Sequence, residues 1–248
     1  MKEKIYTIPV NEAFSKMSEC PLCYLKSKLE EEAVDYALGS AMMEPDYRII
    51  SNEKGYCRHH FAMMHPKKEK LSLALVLETH MDEVQKKLDI FKNNIESIKD
   101  EKKSVFKKKD GKENITNAID RMVNSCVICD KLNSTMERFI SVVFYLWEKE
   151  DEFKENLINS KGFCLPHFKE LTDGAFKYLS KKKAIEFLEI IYEKEKEELK
   201  RLKDEVHKFT LKFDYRNAGE KWGSEIDAPK RAIEKLASYI EAPEENDK

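Results

Sequence analysis

The chain has 248 residues, of which 41% are hydrophobic and 37% charged, and a net charge of -2 at pH 7. That length admits two domains or two fused repeats, and the near-neutral balance excludes a global attraction for nucleic acid or an anionic membrane. Seven Gly and seven Pro in a chain rich in Lys, Glu and Leu exclude a disordered or collagenous composition and favour helices.

Met1-Lys-Glu-Lys-Ile-Tyr carries charge with no apolar stretch behind it, and no run approaches the roughly 18 apolar residues of a membrane span. A cytoplasmic, reducing setting is expected, where cysteines remain thiolates and hold metal. Asn11, a good helix N-cap, stands before a short helical pattern, Glu12 to Glu19. Cys20-Pro-Leu-Cys23 follows. A helical run then extends from Tyr24 to about Met43, with Leu25, Leu29, Val34, Tyr36 and Leu38 as its apolar members. Glu44-Pro45 should end it, because the residue before Pro avoids the helical region. In the Glu30-Glu31-Glu32 run a solvated face is expected. Lys54-Gly55 reads as a turn or helix cap with positive φ, followed by Tyr56-Cys57-Arg58-His59-His60-Phe61. Met42, Met43, Met63 and Met64 are expected to fill core gaps.

Leu77, Met81, Val84, Leu88, Phe91, Ile95 and Ile98 alternate at four and three residues, a heptad seam on a helix of about thirty residues, roughly 45 Å long. Lys99 to Lys112, with seven lysines and three acids, reads as a solvated connector turning at Asp110-Gly111.

The same order then recurs. Asn117 precedes a short helical pattern, Ala118 to Ser125, and Cys126-Val-Ile-Cys129 matches the first Cys-x-x-Cys. Lys131 to Lys149 carries a clear stripe, Leu132, Met136, Phe139, Ile140, Val143, Phe144 and Trp147, which should pack deeply. Lys161-Gly162-Phe163-Cys164-Leu165-Pro166-His167-Phe168 matches the second motif. A second seam runs through Ile185, Leu188, Tyr192, Leu199, Leu202, Val206, Phe209 and Phe213, with Glu195 at one seam position. The two long helices are expected to pair with each other, or in part with a second copy or a partner. After Phe213-Asp-Tyr-Arg216 and Trp222, Asp227-Ala-Pro229 opens a short helix with Ile233, Leu236 and Ile240 as its buried face. Ala242 to Lys248 should fray.

Thirty-three residues separate Cys23 from Cys57 and thirty-four separate Cys129 from Cys164. The repetition points to duplication of a structural unit, with boundaries at 1-98 (first metal-binding helical repeat), 99-113 (Lys-rich linker), 114-213 (second repeat) and 214-248 (tail and short helix). Three thiolates and one imidazole per copy make a closed tetrahedral zinc set. The expected ligands are Cys20, Cys23, Cys57 and His60 with Cys126, Cys129, Cys164 and His167. His60 is preferred to His59 because His59 aligns with Pro166. Whether each site closes within a copy, or Cys20 and Cys23 join Cys164 and His167, is left open by the spacing. Two Zn²⁺ per chain are expected, with an iron–sulfur cluster as the runner-up.

The duplicated Cys-Pro-x-Cys and Gly-aromatic-Cys-x-x-His pattern is carried by Cys20-Pro21-Leu22-Cys23, Gly55-Tyr56-Cys57 with His60, and Gly162-Phe163-Cys164 with His167. It resembles an uncharacterised bacterial family of helical proteins, a domain-of-unknown-function group. Cys126-Val-Ile-Cys129 departs from the pattern by lacking the Pro. The resemblance covers most of the chain, from about Asn11 to the C-terminal helix, and implies metal binding without implying a reaction.

The fold class expected is all-α: two tandem zinc-clamped helical repeats ending in long, antiparallel or coiled-coil-like helices. The function expected is a zinc-binding scaffold or interaction module whose long helices meet a protein partner or a second copy. Neither a membrane nor nucleic acid is an expected partner. A closed coordination sphere leaves no position for substrate, and no phosphate loop, nucleophile elbow or His-Glu-x-x-His is present, so the reading leans away from catalysis. The alternatives are an iron–sulfur or thiol redox protein, and an enzyme with zinc only as scaffold and a cleft between the repeats. In that last case Glu31, Asp35 and His80 are the first residues to test.

Overall fold

A computed structural model describes residues 4–100, 116–117, 119–217 and 221–238. Among them the regular structure is helical and no strand occurs. The helices are α1 (Lys4–Ser15), α2 (Pro21–Leu38), α3 (Pro45–Lys54), α4 (Arg58–Met64), α5 (Lys70–Asp100), α6 (Val127–Lys149), α7 (Asp151–Asn159), α8 (Leu165–Tyr178), α9 (Lys181–Leu211) and α10 (Ala228–Ala237). Short 3-10 turns cover Ser40–Met43 and Tyr215–Asn217, and residues 119–124 are also helical. Residues 101–112 of the expected connector, Ala118, Ile240 and the tail Ala242 to Lys248 lie outside the described residues.

The chain divides into two compact units. Met1–Lys28 joins Thr135–Lys248 in one, which is discontinuous in sequence, and Leu29–Ser134 forms the other. Both changes of unit fall inside a helix, within α2 and within α6.

In the discontinuous unit α1 packs on α7, α9 packs on α7, α8 and α10, and α10 also packs on α8. The stripe on α6 is buried as its period requires: Met136, Phe139, Ile140, Val143, Phe144 and Trp147 are each 8% exposed or less. Phe187 of α9 sits edge-on to both Phe144 and Trp147, at centroid separations of 5.0 and 5.4 Å, a favoured aromatic geometry. In the other unit Ala33, Val34, Ala37 and Leu38 of α2 meet Tyr56, Met64, Val76, Ile128 and Leu132 in one core, and α3 packs on α5.

Several elements differ from the expectation, each for a physical reason. Asn11 and Asn117 lie within helix and do not cap one. Val10, Ala13 and Phe14 share the i, i+3, i+4 face that α1 buries, so burial of that stripe outweighs the capping preference of Asn11; its amide bonds Glu150 instead, at 3.3 Å. Helix α2 stops at Leu38 and not at Met43. Glu44 is extended (φ -98°, ψ 109°), as its place before a Pro dictates, but Pro45 then opens α3 at a position where Pro is tolerated. Met64 is buried while Met43 is 87% exposed.

The two long helices each have 31 residues. On α9 the buried line is Ala184, Phe187, Ile191, Glu195, Glu198 and Leu202, whereas Ile185 and Tyr192 of the expected seam face solvent. The heptad spacing places Glu195 inward, as found, but a hydrophobic pattern does not register Glu198. Glu198 pairs with Lys194 and Arg201 at 3.2 and 2.6 Å, and Glu195 meets partners described below. On α5, Met81, Leu88 and Ile95 of the expected seam are exposed. The C-terminal helix begins as expected, with Asp227 at its N-cap and Pro229 in its first turn. Its buried face is wrong in the expectation: Ile233 and Leu236 are more than half exposed, and Lys235 is fully buried.

Candidate metal centres

All six cysteines are unpaired thiols. They gather with two histidines into two clusters, Cys20, Cys23, Cys164 and His167 in the discontinuous unit, and Cys57, His60, Cys126 and Cys129 in the other. Each cluster therefore takes its Cys-x-x-Cys from one motif and its Cys-x-x-His from the other.

The ligand atoms sit on the same local structure in both clusters. Cys20 and Cys126 immediately precede α2 and α6, with Cys23 and Cys129 in the first turns; the Cys23 and Cys129 backbone N–H groups donate to the Sγ of Cys20 and Cys126, at 3.4 and 3.5 Å. Cys57 and Cys164 are the N-caps of α4 and α8, and His60 and His167 lie one turn inside. Helix N-termini present unpaired N–H groups and partial positive charge, which suits thiolate-rich sites. The turn before each Cys-x-x-His needs positive φ, found at Gly55 (66°) and Gly162 (75°).

The spacing of donor atoms matches a single ion. His167 Nδ1 lies 3.5, 3.3 and 3.1 Å from the Sγ of Cys20, Cys23 and Cys164, and Cys23 and Cys164 sulfurs are 3.4 Å apart. His60 Nδ1 lies 3.2, 3.2 and 3.5 Å from the Sγ of Cys57, Cys126 and Cys129, and Cys57 and Cys129 sulfurs are 3.7 Å apart. A tetrahedron with arms of about 2.3 Å to sulfur and 2.0–2.1 Å to nitrogen has S···S edges of about 3.8 Å and S···N edges of about 3.5 Å. The observed edges are equal to these or a few tenths of an ångström shorter.

In each cluster the neighbouring sulfurs favour the charged form of the imidazole. Burial opposes charge on His60, but the Cys126 sulfur and the Glu30 carboxylate outweigh it and raise its pKa to about 10. Burial likewise opposes charge on His167, and Cys164 and Cys23 raise it to about 9. Hydrogen bonds from Cys164 and Cys20, with His167, hold the Cys23 thiol well below its usual range, while burial pushes Cys20 up. An incoming metal displaces these protons.

Glu30 is buried, unlike the solvated residue expected. Its Oε1 lies 3.0 Å from His60 Nε2 and 3.0 Å from His59 Nε2. That bond leaves His60 Nδ1 to face the three sulfurs. His59, with a side chain 53% exposed, touches the carboxylate and not the sulfurs. No periodicity marks Glu30; the only signal in the sequence is its place at the start of a triple-Glu run on a helix beginning at a metal motif. Of the three residues considered for catalysis, Glu31 is exposed, Asp35 pairs with Lys67 at 2.7 Å, and His80 Nδ1 lies 2.7 Å from the Asn52 carbonyl.

The loops bearing the ligands are tied together differently in the two clusters. In one, Ser125 Oγ donates to the Lys54 carbonyl at 2.6 Å and the Val127 N–H to the Gly55 carbonyl at 3.1 Å. In the other, the Lys235 ammonium donates to the Lys161 carbonyl at 2.6 Å and the Glu19 carbonyl at 3.3 Å. It also pairs with Glu195 Oε2 at 3.4 Å, the same oxygen that accepts the Phe163 N–H at 2.9 Å. Glu19 further pairs with Arg201 at 2.6 Å and Arg231 at 3.2 Å. Of these supporting residues the sequence marked only Glu195, as a seam position and without a partner; the others are polar groups whose partners are distant in the chain.

No helix among the described residues is long and apolar enough to cross a membrane. Neither the curated proteins nor the solved structures include a match to this chain. A family model described as a family of unknown function (DUF6062) matches residues 1–243, and the chain belongs to that family.

Proposed function

We propose that this protein is a zinc-binding helical scaffold in which two mononuclear Cys3His centres hold the helix starts together. The observation that carries the reading is the convergence, twice, of three sulfurs and one imidazole nitrogen with all donor atoms within 4.8 Å of one another. Such edges suit one ion per cluster. In a multinuclear iron–sulfur cluster the ligands bind different irons and stand farther apart than the edge of one tetrahedron. Imidazole among the donors also favours zinc over cuprous copper.

Four strong protein ligands close the sphere, which supports a structural role over a catalytic one. Such sites contribute folding energy directly, about 10–16 kcal/mol in zinc-finger peptides at neutral pH. The need for free thiolates supports a reducing, cytoplasmic setting. The interaction part of the reading draws on α5, where Met81 and Leu88 are about half exposed; a second copy of the chain is the partner to test there, by sedimentation across a concentration range.

The deciding experiment is elemental analysis with native mass spectrometry of protein purified without oxygen. Two zinc ions per colourless chain are expected. Iron with acid-labile sulfide, or a chain that binds no stoichiometric metal, overturns the reading.

A further inference from the structure

The two centres have the same donors but different cover. Cys20, Cys23, Cys164 and His167 are all buried, at 8% exposure or less. In the other centre His60 and Cys126 are buried, while Cys57 and Cys129 are partly exposed. Their sulfurs lie 3.7 Å apart, so the two partly exposed residues flank one edge of the donor set.

The covered centre is also fastened. Helix α10 places Lys235, fully buried, between the carbonyls of Glu19 and Lys161, the residue before Cys20 and the residue before Gly162. At the end of the same helix Ser238 Oγ lies 3.3 Å from Cys23 Sγ. Withdrawing Cys20 or Cys164 from a metal requires these loops to part, which strands a buried ammonium and its Glu195 partner. Leaving a buried charge unpaired is among the costliest local changes a protein can make. Around the other centre the loops are joined by a hydroxyl and a backbone N–H and by the Lys54–Asp130 pair, which is exposed and weak, while the buried Glu30 carboxylate holds His60 and not Cys57 or Cys129.

We propose that the Cys57/His60/Cys126/Cys129 centre is an exchangeable, thiol-reactive metal site, and that the Cys20/Cys23/Cys164/His167 centre is locked. This rests on the zinc reading above and deepens it. The ligand class that the open edge admits is a soft thiolate or a comparable chelator, which replaces Cys57 or Cys129 on the ion. An electrophile captures the displaced sulfur. With N-ethylmaleimide the Sγ lone pair forms the S–C bond, the alkene π electrons move to the neighbouring carbon, and that carbon takes a proton from water.

The test uses the full-length, metal-loaded chain. Its zinc content is measured first; fewer than two ions per chain overturns the zinc reading itself, whatever the order of release. The loaded protein is then exposed to N-ethylmaleimide and followed by native mass spectrometry and peptide mapping. Two phases are expected, separated by about an order of magnitude or more, as local opening energies differ across a fold. The first releases one ion with label on Cys57 and Cys129, and the intermediate keeps one ion and unlabelled Cys20 and Cys164. Release in one phase, or early label on Cys20 or Cys164, overturns the proposal. Lys235→Met should accelerate the second phase and leave the first unchanged; should that variant not fold, the order of labelling in the unaltered chain still decides.

Discussion

His60 is held from both sides: Glu30 Oε1 accepts from its Nε2 at 3.0 Å, and its Nδ1 faces three sulfurs at 3.2 to 3.5 Å. A carboxylate on the far nitrogen of a ligating histidine fixes the tautomer, orients the ring and makes the near nitrogen a better donor. Glu30→Gln keeps the shape and removes the charge. Zinc affinity at this centre should fall about 10- to 100-fold, the usual range for such partners, and the Cys20 centre should keep its affinity. Competition with a chromogenic chelator reads both. His59→Ala should leave both ions in place, because His59 meets only the carboxylate.

Gly55 and Gly162 are required by backbone and by space together. Gly55 has φ 66° and ψ -157°, a region nearly reserved for glycine. A Cβ there would collide with the His80 imidazole, and one at Gly162 would stand 2.7 Å from Glu195 Oε2. Gly55→Ala should cost about 1–3 kcal/mol from the backbone alone, with more from the collision. Chemical denaturation of the metal-loaded protein measures it, and His80→Ala in the same chain should recover the part due to the collision. Full recovery would mean that the backbone conformation carries no strain.

What was legible in the sequence was chemistry repeated at fixed spacing. Eight Cys and His residues that gather in two clusters, two helix starts per motif, two glycines with positive φ and two 31-residue helices are all local patterns. The α6 stripe was equally plain because Phe139, Val143, Phe144 and Trp147 share one face. Lys235 and Glu30 were not legible, and Glu195 was placed in the seam without its partner: hydropathy assigns a charge to solvent, and only the fold supplies Glu195 to Lys235 or His60 to Glu30. The crossed ligand sets lay between these cases. Both pairings satisfy the spacing, and no ligand motif encodes the choice between them.

That crossing is open to a direct count. Cys20→Ser and Cys164→Ser should each lower the zinc content from two ions to one, as should Cys57→Ser and Cys126→Ser. Combining Cys20→Ser with Cys164→Ser should still leave one ion, since both belong to the same cluster. Combining Cys20→Ser with Cys57→Ser should leave none. Closure within each motif reverses the last two results, so native mass spectrometry of two double variants separates the arrangements.

Lys235 and Glu195 form a buried pair whose value depends on keeping both members. Glu195 Oε2 serves Lys235 and the Phe163 N–H, while Oε1 is buried with no hydrogen-bond partner. Burial accordingly raises the Glu195 pKa despite the nearby ammonium. A carboxyl whose folded-state pKa lies above its unfolded value favours the fold most when protonated, so its own contribution declines as pH rises through that pKa. Removing the charge of one partner leaves the other buried and uncompensated. Glu195→Leu should therefore destabilise by about 3–5 kcal/mol, measured by denaturant unfolding of the metal-loaded chain. The double variant Glu195→Leu with Lys235→Met should recover much of that loss, because apolar replacement of a whole buried pair is often nearly neutral. Lys235 also ties the Lys161 and Glu19 carbonyls, so recovery should be incomplete, and the shortfall measures those two bonds. A double variant as unstable as the sum of the two single ones would show that the residues act independently.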